Sequence, residues 1–226
     1  MDTFDLYKDI QCRTNGEIYL GVVGPVRSGK STFIKRFMDV LVLPKMTDEH
    51  AKERTVDELP QSASGKSIMT TEPKFVPKEA AEIQLAKDVS VLVRLIDCVG
   101  YMVEGAAGYM ENGAERLVKT PWNEKEIPFT KAAEIGTKKV IHDHSTIGIV
   151  VTTDGSIGAL PRNSYRAAEK KTIQELKSIG KPFVVLVNTR KPYSAEAKNV
   201  AEEIQKEYQV TALPVNCEQL REEDIH

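Results

Sequence analysis

Excess charge of one sign, paired cysteines and long apolar runs are all scarce in this sequence, and each scarcity narrows what the chain does. The 226 residues carry 31 basic and 33 acidic side chains, a formal net charge of −2. No overall positive field exists to gather nucleic acid or anionic lipid, so nucleic acid is not an expected partner. Cys12, Cys98 and Cys217 are odd in number, far apart and in no CxxC or metal-ligand spacing. They fit free thiols in a reducing compartment better than a secreted disulfide framework. No run approaches the roughly 18 apolar residues of a membrane span, and the opening MDTFDLYKDI is acidic with no apolar signal core. The expected location is the cytoplasm. Internal repeats and low-complexity tracts are absent as well.

What is present is an alternation of strands and helices, with enough apolar residues, 41% of the chain, to bury a full core. EIYLGVV (17–23), VSVLVRLID (89–97), STIGIVVTT (145–153), PFVVLVN (182–188) and VTALPVN (210–216) are short β-branched runs that predict buried strands. Phe33, Ile34, Phe37, Met38, Leu41 and Val42 recur at helical spacing, as do Tyr165, Ala168, Ile173 and Leu176, and then Val200, Ile204 and Tyr208. The expectation is one α/β domain, a three-layer sandwich with a mostly parallel sheet, right-handed crossovers and a ligand at the carboxyl ends of the strands. Two stretches rich in charge, Gly and Pro, 44–77 and 97–129, break the rhythm as candidate switch loops.

The tetrapeptide SGKS occurs twice, and context separates the copies. At 28–31 it closes GPVRSGKS, Gly24-Pro25-Val26-Arg27-Ser28-Gly29-Lys30-Ser31, which satisfies G-x-x-x-x-G-K-[ST], follows a strand and opens a helix at Ser31 and Thr32. This is the P-loop arrangement: backbone N–H groups and the helix N-terminus surround phosphates, Lys30 reaches the β- and γ-phosphates, and the Ser31 hydroxyl faces Mg²⁺. At 64–67 Pro60 stands where the leading glycine belongs and no strand precedes, so that copy is a loop with a chance likeness. Asp97 ends the strand VSVLVRLID with Gly100 three residues on, the D-x-x-G spacing in which the carboxylate serves Mg²⁺ and the glycine N–H senses the γ-phosphate. Thr70 and Thr71 in MTTEP are candidates to close over Mg²⁺ and the γ-phosphate, Thr71 by preference. The plainer alternative is a hydroxyl satisfying its own backbone.

After PFVVLV a GTPase would read Asn-Lys-x-Asp, but this chain reads Asn188, Thr189, Arg190, Lys191. A cation where guanine requires a carboxylate sets donor against donor, so guanine specificity is expected to be lost and ATP follows by exclusion. Asn188 orients the P-loop or merely turns the strand end; both readings stand.

Together GEIYLGVVGPVRSGKSTFIKRFM, IMTTEPKFVP, LIDCVGY, TPW, PFTKAAEIGTKKVI, HSTIGIVVTTDGSIG and GKPFVVLVN resemble the amino-terminal ATPase domain of the stage IV sporulation protein A family, over nearly the whole chain. The resemblance implies a P-loop NTPase, Ras-like fold of the translation-factor class that binds ATP with Mg²⁺. It also implies hydrolysis that drives self-assembly into a polymer, the basement layer of the spore coat. A forespore-surface position in the mother cell, a small amphipathic membrane-anchoring peptide and coat-protein partners belong to the same inference, mostly through regions outside 1–226. The domain reads as the amino-terminal part of a longer protein. The alternative is an Era-like, nucleotide-gated binding switch in which hydrolysis only resets affinity.

Two departures from GTPases bear on mechanism. Tyr101 stands where Ras-like enzymes often carry the glutamine that orients water, so hydrolysis is expected to be slow or assisted, with Glu104 and Glu111 as candidates. Arg27 occupies a position that is often Asn in Era-like proteins, where it helps hold K⁺; a guanidinium there could serve as a finger in cis, or simply face solvent or a carboxylate. Asp154 in TTDGS is expected to form a turn.

Overall fold

Runs such as VLVRLI and FVVLV have apolar residues on both faces of a strand, and burying both requires layers above and below the sheet. The computed structural model describes residues 16–60, 71–86, 89–106, 108–111 and 113–225. In chain order its elements are β1 (Glu17–Val23), α1 (Lys30–Phe37), α2 (Glu49–Glu58), β2 (Lys74–Ala86), β3 (Val89–Asp97), β4 (Met110–Glu111), β5 (Ala114–Glu115), β6 (Leu117–Thr120), β7 (Asn123–Pro128), α3 (Phe129–Lys139), β8 (Ile147–Thr153), α4 (Arg162–Ser178), β9 (Phe183–Asn188), α5 (Ala195–Tyr208) and β10 (Ala212–Val215). The central sheet has the order β10-β9-β8-β1-β3-β2. All neighbours in it run parallel except β2, which is antiparallel to β3. All five expected strands are present, three of them starting one to two residues late, since Ser145, Pro182 and Val210 lie before the first paired residues.

The three-layer expectation holds in the packing. Phe33, Ile34 and Phe37 of α1, continued by Met38, Leu41 and Val42 in a π-helical turn, pack on Leu20, Val22, Val93 and Leu95 of one face. Ile173 and Leu176 of α4 with Ala201 and Ile204 of α5 pack on Val23, Val150, Val185 and Val187 of the other. Each such fully buried aliphatic side chain is worth about 1.5–3 kcal/mol.

The two irregular stretches hold more structure than expected. Asp48 caps α2 by accepting the N–H groups of His50 and Ala51, and β2 begins inside the first stretch at Lys74. β2 was not legible because KFVPKEAAEIQLA is rich in Lys, Glu and Ala; pairing with β3 makes it a strand, with Val76, Ala81 and Ile83 buried and Lys78, Glu79, Glu82 and Gln84 exposed. Charges and Pro77, beside a register shift, suit the outer strand of a sheet. The second stretch contains the ribbons β4–β5 and β6–β7. Among the described residues no helix is long and apolar enough to cross a membrane.

A buried ion pair fixes α4 to the end of β8. Arg162 grips Glu169 through Nη1–Oε2 at 2.5 Å and Nη2–Oε1 at 2.8 Å, and the Thr152 hydroxyl donates to Oε2 at 2.6 Å. The Glu169 side chain is 2% exposed. Removing one partner strands a buried charge, so Glu169→Ala is expected to cost about 3–5 kcal/mol in urea unfolding; a loss below about 1 kcal/mol would place the pair among weak surface ion pairs.

Candidate functional site

Because β1, β3, β8, β9 and β10 are parallel, their carboxyl ends meet along one edge, and the loops that follow them build the site. The loop Gly24–Gly29 leads from β1 into α1. Gly29 is left-handed at φ 99°, and α1 begins with no side-chain cap and no acidic residue in its first turn. Its first N–H groups are therefore left to a ligand, and the dipole favours an anion. A Cβ at Gly24 would stand 2.4 Å from Val151 O, and one at Gly29 2.1 Å from Asn188 Nδ2, so the chain must approach its neighbours bare at both positions.

Two straps hold this loop. Tyr101 N donates to Gly24 O at 3.1 Å and Val26 N to Tyr101 O at 2.9 Å, which zips the loop to the segment after β3. Asn188 Nδ2 donates to Ser28 O at 3.0 Å while Cys217 N donates to Asn188 Oδ1 at 3.1 Å. Of the two readings of Asn188, the structure supports orientation of the loop.

At the centre lie Lys30, Ser31 and Asp97. Lys30 Nζ donates to Pro25 O at 2.6 Å, and Ser31 Oγ donates to Asp97 Oδ2 at 2.9 Å. Burial pushes the Lys30 ammonium below its usual range, opposed by the nearby Cys98 and Asp97. Burial likewise raises Asp97, opposed by Lys30 and the Ser31 hydroxyl. Cys98 donates its thiol weakly to Val22 O and is pushed up to about 11 by burial. Asp97 Oδ1 is buried with no hydrogen-bond partner among the described residues. No group of three His, Cys, Asp or Glu among them could hold a metal, so a divalent cation here would complete its shell with phosphate and water. An orphaned carboxylate oxygen beside a hydroxyl, next to a phosphate-type loop, fits a hard cation such as Mg²⁺. Gly100 closes the cluster: its Cβ would lie 2.1 Å from Gly24 O and 2.7 Å from Lys30 Nζ.

Gly24, Pro25, Val26, Ser28, Gly29, Lys30, Ser31, Asp97, Gly100 and Asn188 are thus brought together, with Thr32 in the same first turn of α1 as Ser31. Arg27 is exposed, left-handed at φ 59°, and its charge acts on Tyr165 of α4. Thr71 is buried where Gly136 of α3 passes so close that a Cβ would stand 2.5 Å from Thr71 O. Thr70 and the second SGKS fall outside the described residues. Glu104 and Glu111 are exposed. The Tyr101 ring is buried with Lys171 4.6 Å above its centroid, and its hydroxyl has no partner among the described residues. Asp154 makes the expected turn, accepting Ser156 N at 2.9 Å, and also takes the Thr189 hydroxyl at 2.6 Å. That second contact was not legible, since Asp154 and Thr189 meet only across the sheet edge.

A family model for the ATPase domain of stage IV sporulation protein A matches residues 1–226. The chain belongs to this family. Stage IV sporulation protein A of Clostridioides difficile (strain 630) is 56% identical over 221 residues, covering 98% of this chain and 45% of that protein. Its namesake from Bacillus subtilis (strain 168) is 51% identical over 225 residues, covering 100% and 46%. The chain thus spans less than half the length of these curated relatives. A crystal structure of an SsGBP variant aligns over 92% of this chain and 52% of its own with a TM-score of 0.46 at 13% identity, a likeness too slight to carry an argument.

In this sporulation ATPase domain the glycine contacts yield a direct test. Gly100→Ala drives a Cβ into backbone at φ 94° and is expected to cost about 2–4 kcal/mol in thermal or urea unfolding. Gly113→Ala, at φ 80° with nothing within 4 Å, should cost about 1 kcal/mol. Equal losses would contradict the close approach at Gly100.

Proposed function

We propose that this domain is a P-loop, Ras-like NTPase that binds ATP with Mg²⁺ and hydrolyses it to ADP and phosphate. The observation that carries the reading is the buried cluster beside Lys30 in which Ser31 Oγ bonds one oxygen of Asp97 and the other has no hydrogen-bond partner among the described residues. Burial disfavours the charged form of both Lys30 and Asp97. A polyphosphate adds negative charge beside Lys30, and the backbone N–H groups of the loop and of the first turn of α1 hold its oxygens. Mg²⁺, when bound at Ser31 and Asp97, supplies charge stabilisation on the transferring phosphoryl group. Gly100, in contact range of Lys30, offers its N–H at the end of the phosphate chain. Thr71, by preference over Thr70, is the candidate to close over that end.

ATP is favoured over GTP because Lys191 stands where a guanine-reading carboxylate would be. Thr189 is committed to Asp154 rather than to a base. Tyr101, buried with Lys171 over its ring, stands where a water-positioning glutamine would be, which makes slow or assisted turnover the expected behaviour. Arg27 is the candidate finger in cis. Hydrolysis driving self-assembly, and contacts with a membrane-anchoring peptide and spore coat proteins at the forespore surface, extend this reading to the longer relatives; support for them is the family resemblance in the motifs.

One panel tests the reading. Calorimetry is expected to give tighter Mg·ATP than Mg·GTP binding; Lys30→Ala should weaken ATP binding, and Asp97→Ala should mainly abolish Mg²⁺-dependent hydrolysis. Arg27→Ala should lower kcat with affinity within a few-fold, and turnover should not respond to exchanging K⁺ for Na⁺. Sedimentation after incubation with ATP, GTP or a non-hydrolysable analogue separates assembly from a reset switch. Tighter GTP binding, or normal hydrolysis by both Lys30→Ala and Asp97→Ala, overturns the assignment.

A further inference from the structure

We propose that Asn216 reads the base of the bound nucleotide, donating from Nδ2 to a ring nitrogen of adenine held between α1 and the loops after β9 and β10. This rests on the ATP reading above and extends it to the half of the nucleotide that no motif describes. Gly100 and Lys30 mark the end of the phosphate chain near β3. The sheet order places β8, β9 and β10 on the opposite side of β1 from β3, so the nucleoside extends toward them.

A cleft of about 340 Å³ opens there, with Thr32 and Arg36 of α1 on one wall and Ile157, Asn188, Asn216 and Glu218 on the other. Its size falls in the range of small-molecule sites, about 300–1,000 Å³. Thr32 follows Ser31 directly, so the cleft is continuous with the phosphate loop. Arg36 Nε donates to Leu220 O at 2.7 Å, which ties α1 to the chain beyond β10 and fixes the separation of the walls. Ile157 offers the apolar surface a flat ring needs.

Of Asn188, Thr189 and Asn216, the uncharged polar residues at the ends of β9 and β10, two are committed elsewhere. Asn188 is spent at both ends, on Ser28 O and Cys217 N. The Thr189 hydroxyl is given to Asp154, accepts Lys191 N at 3.2 Å and belongs to a residue 1% exposed. Asn216 is different. Its Oδ1 accepts the N–H groups of Glu218 at 3.1 Å and Gln219 at 3.2 Å, and a flipped amide would set its NH₂ against those two donors. The amide is therefore locked with Nδ2 outward as a donor in a half-buried position on the cleft. Adenine presents N1, N3 and N7 as acceptors, and a fixed donor is the complement they require.

The test is a cycle between protein and ligand, read by calorimetry on the intact chain with Mg²⁺. Asn216→Asp keeps an oxygen for the two backbone N–H groups and removes the donor. It is expected to weaken ATP about 10- to 100-fold and leave inorganic tripolyphosphate unchanged. Against the unmodified protein, 1-deaza-, 3-deaza- and 7-deaza-ATP are compared with ATP; one of the three should bind about 10-fold more weakly, and that deficit should vanish in Asn216→Asp. An equal fall for tripolyphosphate, or three deaza analogues that all bind like ATP, overturns the assignment. ATP binding left unchanged by Asn216→Asp brings down Asn216 alone, whereas no ATP binding by the unmodified protein brings down the nucleotide reading with it.

Discussion

The backbone exchange between Gly24 and Tyr101 is the constraint on which the rest of the site depends. Two N–H groups and two carbonyls join the loop after β1 to the segment after β3, and this approach requires that Gly100, which passes Gly24 O, carry no side chain. Once that approach is made, Lys30 and Asp97 are brought into one buried volume. Ser28 is drawn within reach of Asn188, and the start of α1 is aimed across the edge of the sheet. A side chain at Gly100 would part the loop from the segment after β3, and one at Gly24 would meet Val151 O of β8.

Burial gives this geometry its chemistry. An ammonium and a carboxylate are both taken out of water, and for each the loss of solvation outweighs the attraction of the other, since Lys30 is pushed down and Asp97 up. Lys30 therefore gains from added negative charge and Asp97 from added positive charge. A nucleotide polyphosphate with a divalent cation supplies both together, which neither a free phosphate nor a metal alone does. Tyr101 serves the shape of the site: its backbone holds the loop, while its ring is packed under Lys171.

The motif residues were legible because local sequence carries them: Gly24, Gly29, Lys30 and Ser31 lie between the β-branched run of β1 and the helix that follows, and Asp97 ends the run of β3. The five parallel strands were legible for the same reason. β2 was not, because its Lys, Glu and Ala content has no strand preference of its own and its pairing with β3 supplies one. α2 was hidden within a polar stretch whose helix signal is chiefly the Asp48 cap. Asp154 with Thr189, and Asn188 with Ser28 and Cys217, are partners across 28 residues or more of chain, and no periodicity reports such pairs. Asn216 was invisible for a related reason: its role follows from two backbone N–H groups that fix its amide, a matter of turn geometry and not of residue type.

The most direct measurement of the central claim is amide hydrogen exchange of the intact chain with and without Mg·ATP. If the loop after β1 is a phosphate cradle strapped to the segment after β3, peptides covering 24–33 and 97–101 should slow together on Mg·ATP binding, and tripolyphosphate with Mg²⁺ should reproduce the effect. Saturating Mg·ATP that leaves 24–33 exchanging as in the empty protein, with protection appearing elsewhere, would contradict the account.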